Sequence, residues 1–163
     1  MATAKRQVAF RAPVDLHDQA AELASANGEP LNDVLLRALQ QRLSGPSTVG
    51  EIALMFIDLD GFKRLNDTHG HAAGDQMLYL VGQRLRQGVR SQDMVVRLGG
   101  DEFVVLLEAI GRDLESAQAT AHRIAQGLQE RLARPYVLDV GSVHHSASIG
   151  VAVLDHRSAT AES

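Results

Sequence analysis

At 163 residues the chain has room for one ordinary domain, or for a small module joined to a compact α/β domain, but not for two large cores. Its 45% hydrophobic and 22% charged residues exclude a disordered or fibrous chain, and a net charge of -4 excludes the overall basic surface that dominates nucleic-acid affinity. The absence of cysteine excludes disulfides and thiolate metal sites and fits a reducing, cytoplasmic setting.

Met1–Arg11 has basic residues but no apolar central region, and no run approaches the length of a membrane span, so neither export nor membrane insertion is expected. Gln7-Val8-Ala9-Phe10-Arg11 alternates as a short strand would, with Val8 and Phe10 on one face and Gln7, Ala9 and Arg11 on the other. Pro13 and Asp15 open a helix through Leu16, Ala20, Leu23 and Ala24 that Asn27-Gly28 stops. A second helix follows from about Leu31 to Leu43. The cluster from Ser44 to Gly50 is rich in Gly, Pro and Ser and sets a boundary: a module over 1–45, a linker over 46–50 and a main domain over 51–163.

In the main domain, Ile52-Ala53-Leu54-Met55-Phe56-Ile57 is an apolar run closed by Asp58-Leu59-Asp60-Gly61, the pattern of a buried central strand ending in a loop. Helices are expected from about Gly74 to Arg90, with Leu78, Val81 and Leu85 in the core, and from about Leu114 to Ala133. Between them Met94–Leu98 and Phe103–Leu107 flank Gly99-Gly100-Asp101-Glu102 as a β-hairpin. A last strand over about Ser146 to Leu154 completes an α/β (α+β) sheet with flanking helices.

The chemistry concentrates at Asp58-Leu59-Asp60 and at the hairpin tip. If their strands are neighbours, the carboxylates converge, and magnesium is held by one or two carboxylates plus substrate phosphates. Paired glycines let a backbone approach a phosphate. Acidic strand ends and Gly-Gly hairpins are also ordinary solvated features, so spacing by itself leaves both readings open.

The wider pattern resembles the GGDEF family of diguanylate cyclases, with their nucleotidyl-cyclase-like sheet. The stretch Phe56-Ile57-Asp58-Leu59-Asp60-Gly61-Phe62-Lys63-Arg64-Leu65-Asn66-Asp67 runs on through Thr68-His69-Gly70-His71-Ala72-Ala73-Gly74-Asp75. It is similar to the family's first strand, turn and nucleotide-binding helices. Arg97-Leu98-Gly99-Gly100-Asp101-Glu102-Phe103 matches the signature hairpin, Ser148-Ile149-Gly150-Val151-Ala152 matches a third segment, and all three stand in family order.

The resemblance implies condensation of two GTP to cyclic di-GMP with loss of pyrophosphate, by two domains meeting face to face. It implies magnesium, with manganese the alternative, on Asp58, Asp101 and the Leu59 backbone. Gly99, Gly100, Asp101 and Glu102 form the catalytic hairpin. Asn66 and Asp75 read guanine, and the amides around Phe62 and Lys63 cradle phosphates. Arg90-Ser91-Gln92-Asp93 matches the family's inhibitory site for the product, against the simpler alternative of a helix-end ion pair. His71 lies in the nucleotide segment, where a hydrogen-bonded structural role is the plainer reading. The adjacent His144 and His145 make poor joint metal ligands if they occupy a strand, and are taken for surface or packing residues.

The family pattern continues past Ser148–Ala152 into a basic helix that clamps the triphosphate, then a strand. Residues 155–163 show no counterpart, which leaves a sheet edge and an apolar surface expected to be uncovered. The usual opening segment is echoed only by Gly28-Glu29-Pro30-Leu31-Asn32-Asp33, and the helix to Leu43 could serve as the domain's first.

Gln7 to Leu43 is also similar to ribbon-helix-helix DNA-binding domains, which implies a homodimer whose paired strands present Gln7, Ala9 and Arg11 to base edges, with Lys5 and Arg6 near phosphates. Up to Ser44 five basic residues (Lys5, Arg6, Arg11, Arg37, Arg42) balance five acidic ones (Asp15, Asp18, Glu22, Glu29, Asp33), so such a module is neutral. Two functions follow as expectations: a magnesium-dependent cyclase, or a non-catalytic GTP- or cyclic di-GMP-responsive DNA-binding regulator.

Overall fold

The apolar run that opens the main domain becomes the central strand of the sheet. The computed structural model describes residues 9–11 and 50–154. The helices expected between Pro13 and Leu43, linker residues 46–49, and Lys5, Arg6 and Gln7 lie outside them. Strands β1 (Ala9–Arg11), β2 (Ile52–Leu59), β3 (Met94–Gly99), β4 (Glu102–Leu107) and β7 (Ala147–Leu154) form one sheet in the order β1-β7-β2-β4-β3. The short strands β5 (Tyr136–Leu138) and β6 (Gly141–Val143) form a separate hairpin. Helices α1 (Phe62–His69) and α2 (His71–Gln87) lie between β2 and β3, and α3 (Leu114–Leu132) follows β4.

β2 pairs antiparallel with β4 on one side and β7 on the other, so its backbone is hydrogen-bonded along both edges. Both its faces are apolar because a buried cluster covers each of them. Ala53, Met55, Ile57 and Leu59 face α2 and α3, while Ile52 and Leu54 join Leu98, Val104 and Leu106 in a second cluster on the opposite face. α2 contributes Met77, Leu78, Val81 and Leu85 at helical spacing. Met77, Val81 and Leu85 are almost fully buried, each worth about 1.5–3 kcal/mol relative to exposure. α3 buries Ala117, Ala121 and Ala125 four residues apart, and so small a stripe lets it lie close against β7. Its start is a reciprocal capping box: Ser116 N–H donates to Asp113 Oδ1 at 2.8 Å, and Asp113 N–H donates to Ser116 Oγ.

Four features depart from the sequence-based expectation. α1, a helix the family resemblance implies, lies outside the helices expected from periodicity, because its only buried apolar residue is Leu65. α2 begins at His71, which puts Gly74 inside the helix. The β5–β6 hairpin was not expected, because three-residue strands carry no readable alternation. A sheet edge was expected to be open, without a strand assigned to it, and the outer edge of β7 carries β1 in parallel register, with Ala9 opposite Gly150 and Arg11 opposite Ala152.

The hairpin is pinned from α2. Gln76 Nε2 donates to Asp139 Oδ2 at 2.5 Å and Asp139 N–H donates to Gln76 Oε1 at 3.0 Å. Arg84 lies 3.6 Å over the buried Tyr136 ring and donates to the carbonyls of Arg131, Arg134 and Pro135, capping the C-terminal end of α3. Burial raises the Tyr136 phenol above its ordinary pKa, against the neighbouring Arg84 charge, and its hydroxyl donates to the Leu132 carbonyl at 2.7 Å.

Candidate active site

The β2–β4 register sets Asp58 directly opposite Glu102, with both side chains exposed at one end of the sheet. Asp101 joins them, because the Leu59 N–H donates to the Asp101 carbonyl at 3.2 Å. The hairpin is closed by Gly100 and Asp101 between the paired residues Gly99 and Glu102, and a bulge after Arg97 turns its tip. Gly100 sits at φ +51, which suits a residue without Cβ, and Arg97 Nε donates to the Gly100 carbonyl at 3.1 Å. Like charges directly opposed across a sheet repel, so the Asp58–Glu102 pair is suited to a nearby cation. Among the described residues no three His, Asp or Glu side chains gather to hold a metal unaided. The donor set of two carboxylates and a backbone carbonyl is all hard oxygen, and it fits magnesium or manganese completed by substrate phosphates and water.

Asp60 behaves differently from Asp58. Its carboxylate accepts from Ser146 Oγ at 2.6 Å and from Ser148 Oγ at 3.0 Å, at the start of β7. The turn then passes through Gly61 into α1, whose first amides have no side-chain cap. Uncapped N–H groups at a helix start suit a phosphate, and Phe62 and Lys63 supply them. His144 and His145 lie in the loop before β7, not in a strand. His145 Nδ1 is 2.9 Å from the Asp60 carbonyl. Burial first and the Arg64 charge second lower its pKa, which keeps the ring neutral and able to donate.

At the other end of α1, the Asn66 side chain is wedged against α2. Its Oδ1 is buried with no hydrogen-bond partner, an orphan acceptor that a ligand donor would satisfy. Gly74 provides the room, since a Cβ there would stand 1.8 Å from Asn66 Oδ1. Asp75 is exposed on the next residue and opens a cleft of about 630 Å³ that Leu78, Tyr79, Gly82, Gln83, Arg86, Arg97 and Phe103 complete. A volume of that order suits a small organic ligand. The α2 members fall at steps of three and four from Asp75, a mixed polar stripe the sequence reading passed over. His71, the first residue of α2, is exposed.

Arg90 and Asp93 are closed upon each other. The Arg90 guanidinium meets the Asp93 carboxylate with Nη2 to Oδ1 at 3.1 Å and Nε to Oδ2 at 3.2 Å. The backbone amides of Arg90 and Glu108 also donate to that carboxylate, at 2.9 and 3.3 Å. The Asp93 side chain is 1% exposed and that of Arg90 44%, so the arginine alone offers a surface. Of the possible DNA-contacting residues, Ala9 and Arg11 lie in β1 and Gln7 lies outside the described residues.

These motifs belong to a known family. The model of the diguanylate cyclase GGDEF domain matches residues 17–163, so it takes in the hairpin, the Asn66 helix and the Ser148 strand and begins inside the N-terminal segment. The chain is a GGDEF-family member. It is 42% identical over 138 residues to the bifunctional diguanylate cyclase/cyclic di-GMP phosphodiesterase MucR of Pseudomonas aeruginosa, covering 85% of this chain and 18% of MucR. It is 43% identical over 104 residues to the diguanylate cyclase TpbB of that species, covering 63% of this chain and 23% of TpbB. The chain thus spans only a small part of these relatives' length. The crystal structure of the TpbB GGDEF domain aligns with a TM-score of 0.59 at 34% identity, covering 90% of this chain and 76% of that one. A sensory box/GGDEF family protein from Caulobacter crescentus aligns with a TM-score of 0.59 at 33% identity, covering 86% and 78%. No described helix of this GGDEF-family chain is long and apolar enough to cross a membrane.

Proposed function

We propose that this GGDEF domain is one half of a diguanylate cyclase, binding one GTP and condensing it with the GTP of a second copy into cyclic di-GMP and pyrophosphate. The observation that carries this reading is the register that opposes Asp58 and Glu102 and seats Asp101 on the Leu59 amide. Asp58, Asp101 and the Leu59 carbonyl would hold magnesium or manganese, which when bound neutralises charge on the phosphates. The amides of Phe62 and Lys63 bind the phosphate chain. Asn66 Oδ1 and the Asp75 carboxylate accept from the guanine N–H groups. The ribose 3′-hydroxyl of each GTP attacks the α-phosphorus of the other and gives up its proton to solvent, the bond from each α-phosphorus to its bridging oxygen breaks, and two pyrophosphates leave. Glu102, beside the metal-holding residues, adds a negative group to the same hairpin.

Incubation of the full chain with GTP and magnesium, followed by chromatography, should yield cyclic di-GMP that Asp101→Ala abolishes. A folded chain that binds GTP and yields no product sinks the cyclase reading. A response to cyclic di-GMP without turnover is the second reading, favoured by the half-exposed Arg90 guanidinium beside Asp93. DNA binding by a dimeric ribbon-helix-helix module is the other part of that second reading. Its support is the similarity over Gln7–Leu43, while β1 uses one edge within the chain on β7. Titration of labelled duplex DNA at two salt concentrations tests it, and no salt-sensitive binding removes it.

A further inference from the structure

We infer that Asp60 is a positioning residue, clamped to the start of β7 by Ser146 and Ser148 so that the metal-binding and phosphate-binding halves of the β2–α1 turn are held in one geometry. This rests on the proposed GTP site and explains how the Ser148 segment serves it. Asp60 stands between the two halves: Asp58 and Leu59 precede it, and Gly61 and the α1 amides follow. It is fixed at four points. Its N–H donates to the Ser146 carbonyl at 2.9 Å and its carbonyl lies 2.9 Å from His145 Nδ1. A carbonyl only accepts, so the imidazole donates from Nδ1.

The two carboxylate oxygens each take one serine hydroxyl, from residues 86 and 88 positions away. Hydroxyl-to-carboxylate bonds are among the stronger hydrogen bonds in proteins, and both oxygens are engaged. Asn at this position keeps a single acceptor oxygen, so one hydroxyl would lose its partner. The arrangement therefore assigns Asp60 to holding the turn and leaves Asp58 and Asp101 for the cation. A turn held before ligand arrives loses less freedom on binding the triphosphate, whereas the guanine contacts are held from α2, Asp75 on that helix and Asn66 by its wedge against Gly74.

The test compares two ligands on the full chain by titration calorimetry: guanosine 5′-(α,β-methylene)triphosphate with magnesium, and guanosine. Ser146→Ala combined with Ser148→Ala should weaken the triphosphate roughly tenfold or more, the order expected for losing bonds to a charged group, and leave guanosine unchanged. Ser148→Thr, which keeps a hydroxyl, should hold the wild-type ratio. Equal loss for both ligands, or no loss for either, overturns the clamp. If the double variant does not fold, Ser146→Ala at its exposed position gives the same comparison. Failure of the unmutated chain to bind the triphosphate overturns the GTP site itself, and is told apart because it appears before any substitution.

Discussion

The Asn66 carboxamide fills the space that a side chain at position 74 would need, with a Cβ on Gly74 standing 1.8 Å from Asn66 Oδ1. Gly74→Ala therefore has to push the amide out of the wedge between α1 and α2. Helix propensity favours the alanine by about 1 kcal/mol, and overpacking costs about 1–3 kcal/mol, so stability should change modestly. GTP affinity should fall at least about tenfold, because the orphan acceptor no longer faces the base. Calorimetric titration together with thermal melting checks both parts, and unchanged GTP affinity would refute the link.

Asp58 and Glu102 face one another across the β2–β4 pair at the exposed end of the sheet. Asp58→Asn, which keeps the size of the side chain and removes its charge, is expected to abolish magnesium-dependent nucleotide binding while leaving the fold in place. Calorimetric titration of GTP with and without magnesium checks it, and a magnesium-dependent affinity that survives the substitution would remove Asp58 from the cation site.

Asp93 and Arg90 should separate in opposite ways when each is removed. Asp93→Ala takes the acceptor from the Arg90 and Glu108 amides, while the half-exposed Arg90 guanidinium keeps the Glu108 carbonyl, and should cost about 1–3 kcal/mol, a fall of several degrees in Tm. Arg90→Ala should shift Tm far less, since that side chain is half-exposed, yet should remove inhibition by added cyclic di-GMP. Product-inhibition curves on the two variants, read beside their melting curves, decide between a ligand site and a helix-end ion pair.

His145 should make stability sensitive to mild acid. Its pKa lies below the ordinary value of about 6.5 because of burial, then Arg64, so the folded state prefers the neutral ring. The contribution is complete above about pH 6.5 and is lost as the pH falls through the lowered folded value. Tm measured from pH 8 down to pH 5 should decline more steeply in the unmutated chain than in His145→Gln. Parallel curves would show that the Asp60 contact does not depend on the ring's charge.

The legible part of the molecule is the part written in local pattern. The run Ile52–Ile57 is apolar without a break, as a strand covered on both faces is, Leu78, Val81 and Leu85 repeat at helical spacing, and Gly99-Gly100 marks a turn, so β2, α2, the β3–β4 hairpin, α3 and β7 follow from near neighbours in the chain. The order of the three motifs identifies the GGDEF family by the same means. What only the tertiary structure decided are pairings between distant residues: Asp60 with Ser146 and Ser148, Asn66 with Gly74 across two helices, Arg84 with Tyr136, and the cleft that runs from Asp75 to Arg97. No periodicity records these, because each depends on which strands become neighbours and in what register, and on helices packing closely enough for one missing Cβ to matter. The short elements α1, β5 and β6 were hidden for a related reason: a segment with one or two buried side chains has no period to read, and its place is set by the surfaces it meets.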